Sequence, residues 1–540
     1  MAEFLRRKGF RCEEEVHAFL RPRLRSLGDP FLLPQMDAAV ARLLDAIDRK
    51  ERIVLFGDYD VDGVTSLALL AEMLRAYGAN PELFLSLRME EGYGLSRESV
   101  ERCWQQFQPQ LLVAVDCGTS SIDEVAELKA RGADVIILDH HEPKHALPEC
   151  VAVVNPKISD ACALRYLCTA GIAFKVCHAL LKTRPLDNFD LRTQLDLVAL
   201  GTVADIVPLE SENRILVQHG LRQLACTKRP GLRHLMKVAG VRPPLRAEDI
   251  GFRLGPRLNA AGRLTTAEQA LRLLLTQDEA EAAELAAQLD LQNRERQAVE
   301  REIFAAADEQ VTASFEPARD AAIVVGARGW HPGVLGIVAS RLVRRYHRPA
   351  IVIGFDEEGA GKGSGRSIAG LSLVQALTQC ADRLKKFGGH EMAAGLTIRE
   401  ENFGSFAEDF RKAARAMLTD EALEARLDLD QELALADLKS DLLEWYEMLE
   451  PFGSGNAQPT FVARGVEPAV APRVLKEKHL ALRLRQQNYH ARAIFFDGAS
   501  EELPAPPWDV AFRVQVDEYL GERRLQMQVQ ALRASVPSER

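Results

Sequence analysis

Three short apolar segments in the first third of the chain are each followed directly by acidic residues or histidines. Residues 53–56 lead into GDYDVDG, residues 111–115 into Asp116, and residues 134–138 into the triplet DHH at 139–141. Such runs predict strands buried on both faces, and the helix-like stretches near them predict a parallel, doubly wound sheet of the α/β class. Because these sheets keep their active sites beyond the carboxyl ends of the strands, the polar residues mark where chemistry is expected.

The aspartates of GDYDVDG, namely Asp58, Asp60 and Asp62, have the spacing that opens an EF-hand calcium loop. The calcium interpretation fails because the twelfth position of that loop is Leu69 and because a strand precedes it. Residues 64–77 have helical spacing, so we predict a strand-to-helix turn. A solvated acidic turn would have the same sequence, and the triplet alone does not indicate a metal site.

Carboxylates that meet at one sheet edge repel one another, and bound cations relieve that repulsion. Asp205 in GTVADIVPL adds a further acid, although a lone aspartate fits a helix cap equally well. The adjacent His140 and His141 fit either a hydrogen-bonded turn or a metal or phosphate contact. Oxygen ligands with one or two imidazoles suit Mn²⁺ or Mg²⁺ better than Zn²⁺. Two such ions sharing a carboxylate would activate water and clamp a phosphoryl group, so we predict hydrolysis of a phosphate ester.

The charge and composition exclude several classes of protein. A net charge of −10 argues against a protein coated in positive charge for wrapping duplex DNA, although basic clusters occur at 21–25, 342–348 and 382–390. The start of the chain lacks the apolar run of a signal peptide, and no 18 apolar residues follow one another. We therefore expect a cytoplasmic protein with no membrane attachment. Nine cysteines without a CxxC pair favour reduced thiols and no zinc site.

The rest of the chain predicts three further regions. Residues 263–316 contain neither Gly nor Pro, which predicts one helix of about 37 residues, roughly 55 Å long, bridging two domains. The segment after it predicts a smaller α/β domain, and the alternating pattern beyond residue 430 predicts a small antiparallel barrel or sandwich. The predicted domain boundaries are 1–215, 216–316, 317–430 and 431–540.

Beyond these inferences, the motifs GDYDVDG, VDCG, LDHHEP and GTVADIVPL occur in the order of the four motifs of the DHH phosphoesterase superfamily. GKGSGRS and FGGHEMAAG resemble its DHHA1 domain. With GPRLNAAGR, GWHPGVLGIVASRL and LEPFGSGNAQPTF, the whole chain resembles the bacterial single-strand-specific exonucleases of this superfamily, which end in an oligonucleotide-binding (OB) barrel. The resemblance implies 5′-to-3′ hydrolysis of single-stranded DNA to 5′-mononucleotides in DNA repair and recombination. It also implies a monomer whose partners include single-strand-binding protein and a repair helicase.

The resemblance also implies roles for individual residues. His141 would contact the scissile phosphate, with Asp139 beside it in the catalytic set. Some superfamily members have a histidine ligand where this chain has Phe56, and we expect Asp58 or water to replace it. The implied ligands of two Mn²⁺ or Mg²⁺ ions, with Asp116 bridging, are Asp60, Asp62, Asp116, His140 and Asp205.

In the second domain, Gly361, Gly363 and Gly365 would let the backbone approach a phosphate, or would form a flexible turn. Tyr489 and Phe496 would stack on bases or fill the barrel core. The residues expected to bind the nucleotide beside the cut are Arg257, Asn259, Arg263, Ser364, Arg366 and His390, and those expected to bind the strand at the barrel are Arg483, Arg485 and Arg492.

Two other functions fit part of the sequence. A DHH phosphodiesterase for short oligonucleotides or cyclic dinucleotides would need only the DHH and DHHA1 domains, which leaves the long helix and the barrel unexplained. A non-catalytic nucleic-acid scaffold should have lost metal ligands, and only Phe56 departs from the motif pattern. The exonuclease is therefore the favoured prediction.

Overall fold

The computed structural model describes residues 2–87, 94–143, 146–264, 266–519 and 522–535, without the side chains of 263–264, 440, 517–519 and 522–523. The first domain contains a five-stranded parallel sheet of order β2-β1-β3-β4-β5. Its strands are β1 (Ile53–Gly57), β2 (Glu82–Leu85), β3 (Leu111–Val115), β4 (Asp134–Leu138) and β5 (Ala152–Val154).

Helices cover both faces of this sheet. Ile53 and Leu55 of β1 belong to the apolar core on one face, and Val54 and Phe56 belong to the core on the other. This burial on both sides explains the continuous apolar run and confirms the predicted doubly wound sheet. The helices of the N-terminal and interdomain regions are α1 (Ala2–Arg7), α2 (Glu13–Leu20), α3 (Met36–Asp48), α4 (Val61–Ala76), α5 (Arg97–Phe107), α6 (Ile122–Ala130), α7 (Thr169–Thr183), α8 (Leu195–Ala204), α9 (Ser211–Ala225), α10 (Pro230–Val238), α11 (Ala247–Asp249), α12 (Gly255–Leu264), α13 (Glu268–Leu275) and α14 (Glu279–Ser314).

The bridging helix α14 is 36 residues long, which corresponds to roughly 54 Å at 1.5 Å per residue. Asp278 caps its N-terminus through the main-chain N–H groups of Ala280 and Glu281. Leu289 packs in the core of the first domain and Ile303 in the core of the second, so the helix joins both domains as predicted. None of the helices in the described ranges, α14 included, is long and apolar enough to cross a membrane.

The second domain is a smaller α/β unit whose sheet has the order β6-β7-β8-β10-β9. Strands β6 and β7 are parallel, and the remaining pairs are antiparallel. Its elements are β6 (Ile323–Arg328), α15 (Pro332–Tyr346), β7 (Ala350–Phe355), β8 (Ala360–Arg366), α16 (Leu373–Gln379), β9 (Leu384–Gly389), β10 (Ala393–Arg399) and α17 (Phe403–Met417).

The C-terminal region is a closed barrel. Five strands form a ring of order β12-β16-β17-β15-β14, which closes through pairing of β12 with β14. Within the ring only β15 and β17 are parallel, and this is the strand arrangement of an OB fold. The predicted barrel is thereby confirmed. Its elements are β11 (Gln431–Glu432), α18 (Ser440–Met448), β12 (Phe461–Pro468), β13 (Arg473–Leu475), β14 (His479–Gln486), β15 (Tyr489–Phe495), β16 (Trp508–Tyr519) and β17 (Glu522–Ala534).

The first two helices pack on this barrel, a contact that the sequence did not predict. Phe4, Leu5 and Leu20 lie in the same apolar core as the inward side chains of the barrel strands. The buried Arg214 of α9 reinforces the contact, because its guanidinium lies over the Phe19 ring at 3.9 Å. It donates hydrogen bonds to the main-chain oxygens of Phe19, Met448, Leu449 and Glu450.

Candidate metal centre and substrate cleft

The turn after β1 places three aspartates at the carboxyl edge of the first sheet. Asp60 caps α4 by accepting a hydrogen bond from the main-chain N–H of Gly63 at 3.1 Å, so the helix begins at Val61, three residues before the predicted start. A Cβ on Gly63 would lie 2.5 Å from the main-chain oxygen of Asp58, so only glycine fits this turn. Asp62 lies in the first turn of α4 and is buried.

Asp58, Asp60 and Asp116 form a first cluster, with one oxygen from each within 4.8 Å of the others. Asp116 follows β3 with φ of 65°, a conformation that is uncommon outside glycine. Its carboxylate accepts a hydrogen bond of 2.8 Å from the Thr169 hydroxyl, and Asp58 accepts one of 3.1 Å from the Ser86 hydroxyl.

Asp62, His140 and Asp205 form a second cluster around the same edge. The Nε2 atom of His140 lies 3.4 Å from Asp205, 3.5 Å from Asp116 and 3.9 Å from Asp62. Both ring nitrogens of His140 are buried without a hydrogen-bond partner among the described residues. Asp116 belongs to the first cluster and lies 3.5 Å from His140 of the second, so its placement fits the bridging position expected for it.

The crowding and burial of these carboxyl groups raise their pKa values. Burial, with the charge of Asp60 adding to it, raises the pKa of Asp58 to about 8. Burial and the charges of neighbouring aspartates raise the pKa of Asp205 to about 9, that of Asp62 to about 6 and that of Asp116 well above its usual range. These groups ionise together only when cations balance them.

His140 complements the carboxylates as a nitrogen ligand. Burial and the nearby His141 lower the pKa of His140 to about 3, so its imidazole is neutral and keeps a free lone pair. Oxygen donors with one imidazole are the donor set that suits Mn²⁺ or Mg²⁺. The unpartnered His140 nitrogens and Asp205 oxygen therefore fit a two-ion site.

Asp139 differs from the other acids because hydrogen bonds surround it. Its carboxylate accepts from the main-chain N–H groups of Thr119, His140 and His141 and from Nδ1 of His141 at 2.7 Å. Burial alone would raise the pKa of Asp139, but the hydrogen bond and charge of His141 lower it overall. Burial likewise opposes charge on His141, but the bond to Asp139 raises its pKa. Asp139 thus orients His141 and favours its protonated form.

A cleft of about 670 Å³ lies between the two domains, and it reaches Ile206, the residue directly after Asp205. Ile206 lines it from the first domain, and Ser364 and Arg366 of β8 line it from the second. Arg366 donates hydrogen bonds to the Ser364 hydroxyl at 3.2 Å and to the main-chain oxygen of Gly365 at 2.8 Å. The structure therefore brings two of the predicted substrate residues into one cleft with Ile206, the residue after Asp205.

The prediction that the glycines of GKGSGRS approach a phosphate is wrong. Gly361, Gly363 and Gly365 lie in strand β8, whose backbone pairs with β7 and β10 and has no free N–H groups for a ligand. Their Cα atoms face the domain core, where an added Cβ would lie 2.6 to 2.8 Å from core side chains. These positions require glycine because core side chains occupy the space where a Cβ would lie: Phe355 at 361, Leu396 at 363 and Ile351 at 365.

The structure places Arg257, Asn259 and His390 outside the lining of this cleft. Arg257 of α12 donates to the buried Asp290 at 2.9 Å, and Asn259 is half-buried on the same helix. His390 is exposed just after β9. The side chain of Arg263 lies outside the described residues. Helix α12 nevertheless packs close to the aspartate turn, because a Cβ on Gly262 would lie 2.9 Å from the main-chain oxygen of Tyr59.

The arginines predicted at the barrel lie on its outer surface. Arg483 of β14 faces Arg492 of β15 across the strand pair, and both are exposed. Arg485 pairs with Glu467 at 2.6 Å. Tyr489 and Phe496 are 46% and 41% exposed, so they lie outside the barrel core and remain accessible for stacking.

Sequence reasoning missed Thr169, Ser86 and Thr119, which hold the acids in place. Thr169 donates through its hydroxyl to Asp116 and through its N–H to Asp62, at the N-terminus of α7. The only sequence signal is that CTAG begins a helix, where free N–H groups attract carboxylates.

Comparisons with known proteins bear on this architecture. Family models match residues 52–202 (DHH family, N-terminal domain), 320–417 (DHHA1 domain) and 429–531 (RecJ OB domain). A protein of Dickeya dadantii named single-stranded-DNA-specific exonuclease RecJ is 37% identical, over 94% of this chain and 92% of its own length. The chain belongs to the RecJ family.

The RecJ of Bacillus subtilis is also 37% identical, over 98% of this chain and 67% of its own length. The crystal structure of Thermus thermophilus RecJ in complex with Mn²⁺ matches with a TM-score of 0.84 and 32% identity, over 99% of this chain and 75% of that one. The DHH sheet, the long helix, the DHHA1 sheet and the OB barrel are therefore the parts of a RecJ fold.

Proposed function

We propose that this RecJ family member is a single-stranded-DNA-specific exonuclease that hydrolyses phosphodiester bonds with two Mn²⁺ or Mg²⁺ ions. The observation that carries the proposal is Asp116, which belongs to one cluster of ligands and lies 3.5 Å from His140 of the other. The residue after Asp205, Ile206, lines the cleft that also contains Arg366. Asp58, Asp60 and Asp116 would hold one ion, and His140, Asp205 and Asp62 with Asp116 would hold the other. When bound, the ions supply a water of lowered pKa and neutralise phosphate charge.

The remaining residues of the site act on the substrate. His141, held by Asp139, carries a raised pKa that favours the imidazolium form, which suits contact with the scissile phosphate. Ser364 and Arg366 of β8 would hold a phosphate of the strand, because a guanidinium can grip two phosphate oxygens at once. Arg257, Asn259 and His390 would contact the strand only where it extends beyond this cleft, and a role for Arg263 in substrate binding stays an expectation from the resemblance.

The resemblance to the superfamily's exonucleases supports the finer parts of the proposal. We expect degradation from the 5′ end to 5′-mononucleotides, in DNA repair and recombination in the cytoplasm. We also expect a monomer that cooperates with single-strand-binding protein and a repair helicase. We propose that the domain boundaries lie near residues 215, 316 and 430.

An end-labelled assay tests the proposal directly. The protein is incubated with Mn²⁺ or Mg²⁺ and with single or double strands labelled at the 5′ or the 3′ end. We expect mononucleotides to be released at once from 5′-labelled single strands, and blunt duplexes to stay intact. Release of the 3′ label first would overturn the polarity, and equal cleavage of duplexes would overturn the strand specificity.

A phosphodiesterase for short oligonucleotides or cyclic dinucleotides is the alternative activity. The exposed Arg483, Arg492, Tyr489 and Phe496 of the barrel favour a long strand, because a small substrate would not reach them. Competition between a dinucleotide and a long strand separates the two activities, since only an exonuclease should prefer the long strand.

A further inference from the structure

The segment RPRLR at residues 21–25, between α2 and the catalytic domain, has no role in the function described so far. Pro22 is buried and Leu24 packs against the core of the first domain. Arg21, Arg23 and Arg25 alternate with them and are exposed. The segment therefore presents three guanidinium groups toward solvent, and the apolar residues between them hold it in place.

None of these three arginines forms an ion pair or a side-chain hydrogen bond with a described residue, whereas Arg6 and Arg7 of α1 both pair with Glu3. Arg23 is extended and Arg25 lies in the short 3-10 helix Leu24–Ser26, so the three like charges are close together in the chain and repel one another. A bound anion would relieve that repulsion.

The arginines surround a cavity of about 430 Å³. His17 and Ser26 add polar groups to its lining, and Ile215 of α9 adds an apolar one. The carboxylates of Glu13 and Glu14 also line it, but neither forms an ion pair with the arginines. The arginine side of the cavity is thus an unpaired basic surface that can receive phosphate oxygens in a fixed geometry.

This cavity lies where the barrel meets the catalytic domain. Helix α2 ends in Leu20, which packs in the barrel core, and the main-chain oxygen of Pro22 lies 3.2 Å from Nε2 of His219 on α9. Arg214, next to Ile215, binds main-chain oxygens of the barrel region. A strand bound at both the metal centre and the barrel would span the same two units.

We infer that Arg21, Arg23 and Arg25 form a phosphate-binding site for single-stranded nucleic acid at the junction of the catalytic domain and the barrel. The inference rests on the proposed function, because that function supplies the strand. The ligand is a run of phosphodiester groups, held by charge and by guanidinium hydrogen bonds without contact to bases.

The test replaces all three arginines, as Arg21→Gln, Arg23→Gln and Arg25→Gln together. Binding of single strands longer than about 16 nucleotides, the upper end of the site of one OB fold, is titrated with salt in the absence of divalent cations. We expect at least about a tenfold loss of affinity at low salt, and a slope of log affinity against log salt that is smaller by about 2. Hydrolysis of very short oligonucleotides should be unchanged.

A matched variant carries Arg75→Gln, Arg242→Gln and Arg301→Gln, which remove the same charge from exposed arginines outside the lining of the cavity. It should bind long strands within about twofold of wild type. An unchanged affinity and salt slope in the RPRLR variant would overturn the site and leave an acidic protein as its partner. An equal loss in the matched variant would overturn it too, because the effect would then be one of net charge. A wild-type protein that neither binds nor cuts single strands would instead overturn the proposed function.

Discussion

Asp116 combines three properties at one position. It is buried, it lies beside both ligand clusters, and its backbone has a positive φ, which costs about 1 to 3 kcal/mol for residues other than glycine. Strain of this kind persists where the surrounding structure holds it, and here the hydrogen bond from Thr169 fixes the carboxylate. The conformation of Asp116 therefore favours metal binding at some cost in the stability of the fold.

This organisation predicts that Asp116→Asn abolishes hydrolysis while the protein stays folded. The amide keeps the size of the side chain but removes a charge that both ions would share, so turnover should fall by at least about 10³-fold. The metal-free protein should be equally stable or more stable, because burial and the neighbouring aspartates oppose ionisation of this carboxyl group and an amide does not ionise. Turnover at saturating metal and thermal unfolding measure the two effects. Activity within tenfold of wild type would remove Asp116 from the bridging position.

The raised pKa values of Asp58 and Asp205, about 8 and about 9, predict a pH dependence of the metal-free protein. A carboxyl group whose pKa is higher in the folded chain stabilises it most below the unfolded pKa near 4, and that stability is lost as pH rises toward the folded pKa. Without metal, the melting temperature should therefore fall between about pH 5 and 8.

With saturating Mn²⁺ the melting temperature should change much less over this range, because the ions replace the protons. Calorimetric titration at pH 7 in two buffers of different ionisation enthalpy should show protons released on metal binding. A binding enthalpy that is the same in both buffers would contradict the raised pKa values.

Strand β8 has different roles on its two faces. One face carries glycines that fit against the core, and the other carries Ser364 and Arg366 toward the cleft. Gly363→Ala should destabilise the domain by about 1 to 3 kcal/mol, because the new Cβ would lie 2.8 Å from Leu396.

Arg366→Ala should leave the free energy of unfolding nearly unchanged but raise KM for single strands.

Urea unfolding and steady-state kinetics on both variants separate the two faces. A loss of metal binding in Arg366→Ala would place this residue in the metal centre, whereas an unchanged stability in Gly363→Ala would contradict the packing of that face.

At the same scale, local sequence patterns predicted some elements well and others poorly. The runs at 111–115 and 134–138 became β3 and β4 with those bounds, because burial on both faces leaves a signal that needs no distant partner. Three glycines in seven residues resembled a phosphate loop, because Phe355 and Leu396, which fill the space above them, come from other strands. Thr169 escaped detection for the same reason, since only the fold brings it to Asp116.

At the scale of the whole molecule, hydrogen bonds to main-chain oxygens join the barrel to the catalytic domain. The main-chain N–H of Leu209 donates to the oxygen of Ser454 at 2.7 Å, close to Asp205 in the chain. Arg214 adds its bonds to Phe19 and to the segment 448–450. The order of the domains followed from the motifs, but this docking did not, because main-chain acceptors leave no trace in a sequence.

These contacts predict that Arg214→Ala loosens the barrel from the catalytic domain. The part-buried carbonyl oxygens of Phe19, Met448 and Glu450 would lose this donor, and a buried oxygen left unsatisfied costs about 1 to 3 kcal/mol. The Leu449 oxygen would keep its hydrogen bond from the Asn456 side chain. Hydrolysis of very short oligonucleotides should persist, while degradation of long strands should become less processive.

Small-angle scattering and the lengths of the products measure these two effects. Arg222→Ala, on the exposed side of the same helix, is the control and should behave as wild type. Unchanged dimensions and unchanged processivity in Arg214→Ala would show that other contacts suffice for docking.

The packing of α1 and α2 in the barrel core sets an order of events during protein synthesis. Phe4, Leu5 and Leu20 leave the ribosome long before the strands that cover them, β12 to β17, have been translated. Until then these apolar side chains have no native partner, and exposed apolar surface on a nascent chain promotes aggregation. The N-terminal helices can therefore reach their native contacts only after the barrel strands have been made, although the strands of the catalytic domain, β1 to β5, are complete earlier.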